Sequence, residues 1–276
     1  MDFLDILPQY KDYKAAKFVV VPVPHEATTT YGKGTKQGPE AILAASQHLE
    51  EFDQEFNFET YRRAGVHTFK PHSLNQLSAA LDKILEANKI PVVLGGEHSI
   101  TPPAVKVFSR KYPKLSVLQL DAHTDLRDTF DRSPYNHACV MRRVLEICPA
   151  VQVGIRSLSA EEWDFAQKSG QDKRIHWADK LQSTTSIVES LSDDVYITID
   201  VDVFDPAVVP AVGTPEPGGL FWPQILTTLR NVCAAKNVVG FDVVELSPRH
   251  GDIASDFTVS KLVYKLMGYI AAKNLG

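Results

Sequence analysis

The sequence predicts an α/β protein built on a mostly parallel, eight-stranded sheet covered by helices on both faces. Three observations carry that prediction. Short β-branched runs alternate with helix-length segments along the chain. Those runs are apolar on both faces, as strands sandwiched between two helical layers must be. No Gly/Ser-rich linker, low-complexity stretch or internal repeat interrupts the 276 residues, so 1–276 reads as a single domain.

Strands and helices alternate from the N-terminus onward. "KFVVVPVP" (17–24) is the first strand, and "GPEAILAASQHLEEF" (38–52) carries helical spacing. "AGVHTF" (64–69) is a short strand, followed by a helical "LNQLSAALDKILEANK" (74–89). "IPVVLGG" (90–96) and "LSVLQLD" (115–121) are strands flanking a helical "AVKVFSRKY" (104–112). A helix over "HACVMRRVLEI" (137–147) leads to the strand "AVQVGI" (150–155), and a helix over "AEEWDFAQKSG" (160–170) to a weak strand, "RIHW" (174–177). "VYITIDVDV" (195–203) and "VVGFDVV" (238–244) are strands separated by a helical "FWPQILTTLRNVCAAK" (221–236). A last helix over roughly 255–273 sets Phe257, Leu262, Val263, Leu266 and Ile270 on one face.

Right-handed crossovers deliver the C-terminal end of every parallel strand to the same edge of the sheet, where open α/β sheets bind their ligands. The residues just beyond each strand are therefore informative. After "VVLGG" come Glu97 and His98; after "SVLQL", Asp121, His123 and Asp125; after "VYITI", Asp200, Asp202 and Asp205; after "VVGFDVV", Glu245. Burial drives a strand inward, so carboxylates and imidazoles gathered at four strand ends need a reason to be there. A single D-x-D is often a turn or a cap. Four such ends in one chain point to cation ligands.

Imidazoles mixed with carboxylates, and no thiolate, disfavour a structural zinc site and fit Mn²⁺, with Zn²⁺, Fe²⁺ or Co²⁺ also compatible. Six ligand candidates (His98, Asp121, His123, Asp125, Asp200 and Asp202) exceed what one catalytic ion with an open position needs, and suit two ions sharing carboxylates. Two divalent cations would also offset the mutual repulsion of four aspartates.

Composition excludes more than it selects. A formal net charge of −5 gives no basic footprint for nucleic acid. Cys139, Cys148 and Cys233 are odd in number and unpatterned, and read as buried thiols of a reducing compartment. The N-terminus lacks an apolar signal region and no run suits a membrane span, so a cytoplasmic location is expected. "GTPEPGG" has phosphate-loop composition without G-x-x-x-x-G-K-[ST], and reads as a rigid loop beside the cations. Asp205, before Pro206, reads as a cap, and Glu97 is left open between a supporting role and a side chain turned away. Arg142 and Arg143 read as solvated helix residues, with an anion-binding role as the alternative.

"GGEHS", "DAHTD" and "IDVDVFDPAVVPAVGTPEPGG", with "TTTYGKGTKQGPEAI" before them and "FDVVELSP" after, resemble the signatures of the ureohydrolases, the arginase and agmatinase superfamily, in order and along most of the chain. The resemblance implies a three-layer αβα sandwich and two Mn²⁺ ions. His98, Asp121, Asp125 and Asp200 would hold one ion, and Asp121, His123, Asp200 and Asp202 the other, with Asp121 and Asp200 bridging. It further implies hydrolysis of a guanidine C–N bond, in which a water acidified by two cations attacks the guanidinium carbon. His137 would be the general acid for the leaving amine, Glu245 would pair with the guanidinium, and Asp125 would also hydrogen-bond the attacking hydroxide. Relatives form trimers or hexamers, so a homo-oligomer is expected.

Within that family the interval "LRDTFDRSPYNH" lacks the Ser-Gly-Asn-like stretch with which arginases hold a substrate carboxylate, and "NHACVMRR" is more similar to agmatinases. Asp128 and Asp131 would favour an amine terminus, while Arg127 and Arg132 leave an anion possible. The expected substrate is agmatine, giving putrescine and urea. Arginase, guanidinobutyrase and formimidoylglutamase chemistry are the alternatives within the family. A two-metal phosphoesterase and a non-catalytic metal-binding relative are the more remote ones.

Overall fold

In the computed structural model, which describes residues 1–181 and 183–274, all eight expected strands form. They are β1 (Phe18–Val23), β2 (Val66–Thr68), β3 (Ile90–Gly95), β4 (Leu115–Leu120), β5 (Ala150–Ile155), β6 (Ile175–Trp177), β7 (Asp194–Asp200) and β8 (Asn237–Val244). They build one sheet in the order β2-β1-β3-β8-β7-β4-β5-β6. Every pairing in it is parallel.

The alternation of each strand divides the interior into two cores. Phe18 and Val20 of β1 face one layer, and Val19, Val21 and Val23 face the other. The first layer is made by the helices Gly38–Ser46, Trp222–Ala235 and Ile253–Asn274, through Ile42, Leu229, Leu262 and Leu266. The second is made by Leu74–Glu86, Thr101–Lys111, Val140–Leu145 and Ala160–Ser169, through Leu81, Phe108, Met141 and Ala166. Three layers result.

Several elements end where local chemistry overrides the sequence pattern. The first of these helices stops at Ser46 instead of reaching 52, because Phe52–Asp53 pairs antiparallel with Phe58–Glu59. β7 stops at Asp200, whose carboxylate accepts the Asp202 N–H and turns 201–203 into a 3₁₀ turn. The helix Thr101–Lys111 begins three residues earlier than its apolar spacing suggests, with proline in its first turn, where a missing N–H costs nothing. His137–Cys139 is a 3₁₀ turn capped by Asn136, and α-helix follows only from Val140. Phe257 does not join the buried face of the last helix: it is 42 % exposed, while Leu262, Val263, Leu266 and Ile270 are buried.

The strand order matters most for function. β3, β8, β7 and β4, whose ends carry the candidate ligands and Glu245, are four consecutive neighbours at the centre of the sheet. Segments far apart in sequence thus place their polar termini side by side.

Candidate metal centre and active site

The Gly-Gly turn after β3 brings His98 to the rim. Gly96 packs against the His25 carbonyl so closely that any Cβ there would overlap it. The backbone of the turn bonds back to the β1 end, through Gly96 N–H to Val23 O (3.0 Å) and Glu97 N–H to His25 O (2.8 Å). Glu97 itself turns away from the cluster. Its carboxylate accepts from the N–H groups of Ala27 (2.5 Å) and Thr28 (2.6 Å), and from the hydroxyls of Thr28 and Ser99. It braces the loop 27–32, which roofs the site.

His98 is buried, and its Nδ1 has no hydrogen-bond partner. That atom faces three carboxylates: Asp125 Oδ2 at 3.2 Å, Asp121 Oδ2 at 3.3 Å and Asp200 Oδ2 at 3.6 Å. His123 Nδ1 lies 2.9 Å from Asp202 Oδ2 and 3.7 Å from Asp121 Oδ1. Two sets of side chains therefore converge closely enough to hold a metal ion, His98–Asp121–Asp125 and Asp121–His123–Asp202, and Asp121 belongs to both. Asp200, which faces His98 with one oxygen, accepts the Asp202 N–H with the other.

The electrostatics of this cluster suit cations. Burial pushes the Asp200 carboxyl well above its usual range, and the nearby charges of Asp202 and Asp121 push it further. Asp125 is raised to about 7 by burial and by Asp121. Burial would lower both histidines, but facing carboxylates win. His98 is raised well above its ordinary value by Asp121 and Asp125, and His123 is pushed up to about 12 by Asp202 and Asp121. Protein groups alone can hold these charges together only by sharing extra protons, a task divalent cations perform without them. An orphaned buried imidazole nitrogen aimed at three carboxylates is the donor set expected for a hard or borderline cation.

Beside the cluster is a cavity of about 250 Å³ lined by His98, His123, Asp125, Asp200, Asp202, His137 and Glu245, among others. Glu245 Oε1 accepts the His98 N–H at 2.6 Å, and burial raises its pKa to about 8. Asp125 and Glu245 both hold left-handed backbone, with φ of 51° and 67°. His137 reaches the cavity from the start of its 3₁₀ turn, with its Nε2 3.4 Å from Thr30 Oγ1 and its N–H donating to Thr28 Oγ1 at 3.0 Å. Burial holds the His137 imidazole below its ordinary pKa, against the raising effect of the Glu97 charge. The six candidate ligands, His137 and Glu245 thus meet at one place.

The neighbours of the site correct several readings of the sequence. Asp128 does not line the cavity; it is exposed and pairs with Arg143 at 2.7 Å, with Arg142 at 3.8 Å. Arg142 and Arg143 are outside the cavity too, Arg142 lying 3.5 Å from the Phe165 ring centroid. Arg127 does line it, but its Nε is 3.7 Å from Glu162 and its guanidinium lies over Phe130. Asp205 is a loop anchor, as its cap reading has it, accepting from the N–H groups of Ala207, Gly218 and Gly219.

Arg156 has no counterpart among the residues singled out by motif. Its Nη2 donates to the carbonyls of Asp202 (2.7 Å) and Glu216 (2.8 Å), tying the β7 turn to the "GTPEPGG" loop. Motif reasoning also passes over Gln119, Thr198 and Asp242, polar side chains inside strands read as apolar. Gln119 Nε2 donates to Asp121 Oδ2 at 2.6 Å from beneath. Their signal was present: a polar residue in the middle of a buried strand needs a partner.

A parallel sheet with paired candidate ligand sets at its central strand ends is an α/β scaffold carrying a candidate metal centre, and comparison with known proteins gives it a family. Residues 16–268 match the model of the arginase family, and the chain belongs to that family. It is a hydrolytic enzyme of the ureohydrolase kind, most like the agmatinases. It is 39% identical over 277 residues to the N(1)-aminopropylagmatine ureohydrolase of Synechocystis, covering 93% of this chain and 90% of that protein. It is 36% identical over 271 residues to the agmatinase of Pyrococcus horikoshii, covering 94% of each. Among solved structures, the agmatine ureohydrolase of Thermoplasma volcanium superimposes with a TM-score of 0.83 at 29% identity, covering 95% of this chain and 92% of the other.

Proposed function

We propose that this protein hydrolyses the terminal guanidine of an amine-tailed cationic substrate, converting agmatine and water to putrescine and urea. The observation that carries the reading is the pair of ligand sets sharing Asp121 beside a buried glutamate in one small cavity. His98, Asp121, Asp125 and Asp200 would hold one divalent cation, and Asp121, His123, Asp200 and Asp202 a second, with Mn²⁺ the ion that best suits the donors. Bound cations supply the acidification of a water at neutral pH.

The chain's own groups do the rest. Glu245 binds the guanidinium, which in turn keeps that carboxylate ionised despite its burial. Asp125 orients the attacking water by hydrogen bonding. The water oxygen bonds to the guanidinium carbon, the bond to the alkyl nitrogen breaks, and that nitrogen must gain a proton to leave as an amine. The attacking water gives up a proton in the same step, and His137, at the cavity wall, is the general acid placed to take it up and pass it to that nitrogen. An anionic tail is disfavoured because the lining cation, Arg127, already faces Glu162.

A second reading has specific support: proteins 39% and 38% identical to this chain are named N(1)-aminopropylagmatine ureohydrolases. That substrate carries the same guanidine with a longer amine tail. Measuring kcat/KM for agmatine, N(1)-aminopropylagmatine, arginine, guanidinobutyrate and formiminoglutamate on Mn²⁺-loaded protein decides between them. A tenfold preference for an acidic substrate, about 1.4 kcal/mol of transition-state stabilisation, would overturn the cationic-tail reading. Aryl-phosphate hydrolysis without urea release would overturn the reaction itself.

A further inference from the structure

Behind His98, on the side away from the carboxylates, is a chain of buried polar side chains to which the proposed reaction assigns no role. His98 Nε2 lies 2.8 Å from Thr198 Oγ1, which is 2.5 Å from Asp242 Oδ1. The other carboxylate oxygen accepts from Tyr196 Oη at 2.8 Å and from Thr101 Oγ1 at 2.9 Å. Thr101, Tyr196, Thr198 and Asp242 are all fully buried. Such a cluster is costly to desolvate unless each donor and acceptor is used.

Its construction is regular. Thr198 and Asp242 are directly paired residues on β7 and β8, so the sheet register itself sets their contact. Thr198 is two residues before Asp200, which puts it on the same face of the strand as that carboxylate. Thr101, at the first position of its helix, closes the cluster 3.3 Å from Thr198.

Counting protons gives the cluster a direction. A threonine hydroxyl has one proton to donate and can accept elsewhere. Tyr196 and Thr101 each spend their single proton on Oδ2 of Asp242, and Thr198 spends its own on Oδ1. Three O–H donors converging on one side chain are the complement of a carboxylate. With its proton committed, Thr198 can only accept from His98, so the imidazole must carry its hydrogen on Nε2. The lone pair is then on Nδ1, the atom that has no protein partner and faces Asp121, Asp125 and Asp200.

We propose that Asp242 and Thr198 are positioning residues which, through a one-way hydrogen-bond relay, fix His98 as the Nε2–H tautomer and aim its Nδ1 at the cation site. The inference rests on His98 being a cation ligand, and its test separates the two ideas. Mn²⁺ binding is measured by calorimetry and by metal content on wild-type protein, Thr198→Val, Thr198→Ser and Asp242→Asn, with thermal melts of the metal-free proteins as a check on folding.

Valine keeps the shape of threonine and removes the acceptor, so Thr198→Val is expected to weaken Mn²⁺ binding at the His98 side about 10- to 100-fold, the usual cost of losing a partner behind a metal-bound histidine. Thr198→Ser restores the hydroxyl and should bind within about threefold of wild type, inside the scatter of a conservative change. Asp242→Asn adds donors to a cluster built to donate, and should weaken binding as valine does. Magnetic resonance of isotope-labelled histidine in Zn²⁺-loaded wild-type protein should find the His98 proton on Nε2, even if a variant fails to fold. A proton on Nδ1, wild-type Mn²⁺ affinity in Thr198→Val, or serine as damaging as valine would overturn the relay. Wild-type protein that binds no Mn²⁺ would instead overturn the cation site itself.

Discussion

Asp125 and Glu245 sit in a backbone conformation that side-chain-bearing residues seldom adopt, at a cost on the order of 1–3 kcal/mol each. Both are pinned by their own main chain: Glu245 N–H to Gly96 O at 2.8 Å, and Asp125 O accepting the Arg142 N–H at 3.1 Å. The strain turns two carboxylates into the cavity at points where a relaxed strand would carry on past it. Asp121 is different, for it is unstrained but shared. Since it belongs to both ligand sets, Asp121→Ala should abolish urea release and remove nearly all bound metal. One retained cation with wild-type turnover would refute the sharing. His137 belongs to neither set. His137→Ala should therefore keep both metals and lower kcat by about 10²- to 10⁴-fold, the range typical of a lost general acid. Metal loss in that variant would show His137 to be structural.

At the scale of elements, the loop 214–219 is held from two directions, by Arg156 through main-chain carbonyls and by Asp205 through main-chain N–H groups. The N–H groups of Ala207, Gly219 and Gly218, with the Arg156 charge, hold the Asp205 carboxyl below its usual pKa, against the raising effect of burial. A folded-state pKa below the unfolded value of about 3.9 means stability that is present above that pH and lost as pH falls through the folded value. Asp205→Asn should therefore lower the melting temperature at pH 7 by a few degrees, as expected for about 1 kcal/mol in a chain this size. The gap between variant and wild type should stay constant down to about pH 5 and narrow below about pH 4. A gap independent of pH in calorimetric scans would mean the carboxylate charge plays no part.

The elements were largely legible in the sequence, and for a physical reason. A strand buried on both faces must be an apolar run, and a helix on the sheet must carry a stripe. The convergence of the candidate ligands was legible because charged groups gathered at strand ends have no structural excuse. Their partners were not. Gln119, Thr198 and Asp242 are single polar residues within apolar runs, and what each touches depends on strand register that no local pattern encodes. Arg156 bonds only to carbonyls, which carry no side-chain signature at all. Asp128 misled for the complementary reason: its charge was visible, but Arg143, fifteen residues on, consumes it.

For the whole molecule, among the described residues no helix is long and apolar enough to cross a membrane. The thiols of Cys139 and Cys233 are buried, and burial pushes the Cys139 thiol up to about 11. The expected homo-oligomer is checked by light scattering, where a trimeric or hexameric mass is the anticipated result and a monomeric one would withdraw it.

The place of β8 has a consequence for how the chain comes to be folded. This strand is made last, from residues 237–244, yet it lies between β3 and β7 and pairs with both. Without it the strand order divides into two parts, β2-β1-β3 and β7-β4-β5-β6, each with an open edge. The candidate ligands are split between those halves: His98 comes after β3, while the aspartates and His123 come after β4 and β7. The candidate set that includes His98 is thus incomplete without the central strand, whereas Asp121, His123 and Asp202 lie within one half. Chains ending at residue 236 should expose hydrophobic surface to a dye such as ANS and gain less protease resistance from Mn²⁺ than the full chain does. Protection of the shortened chain equal to that of the full chain would show that the halves can meet without their central strand.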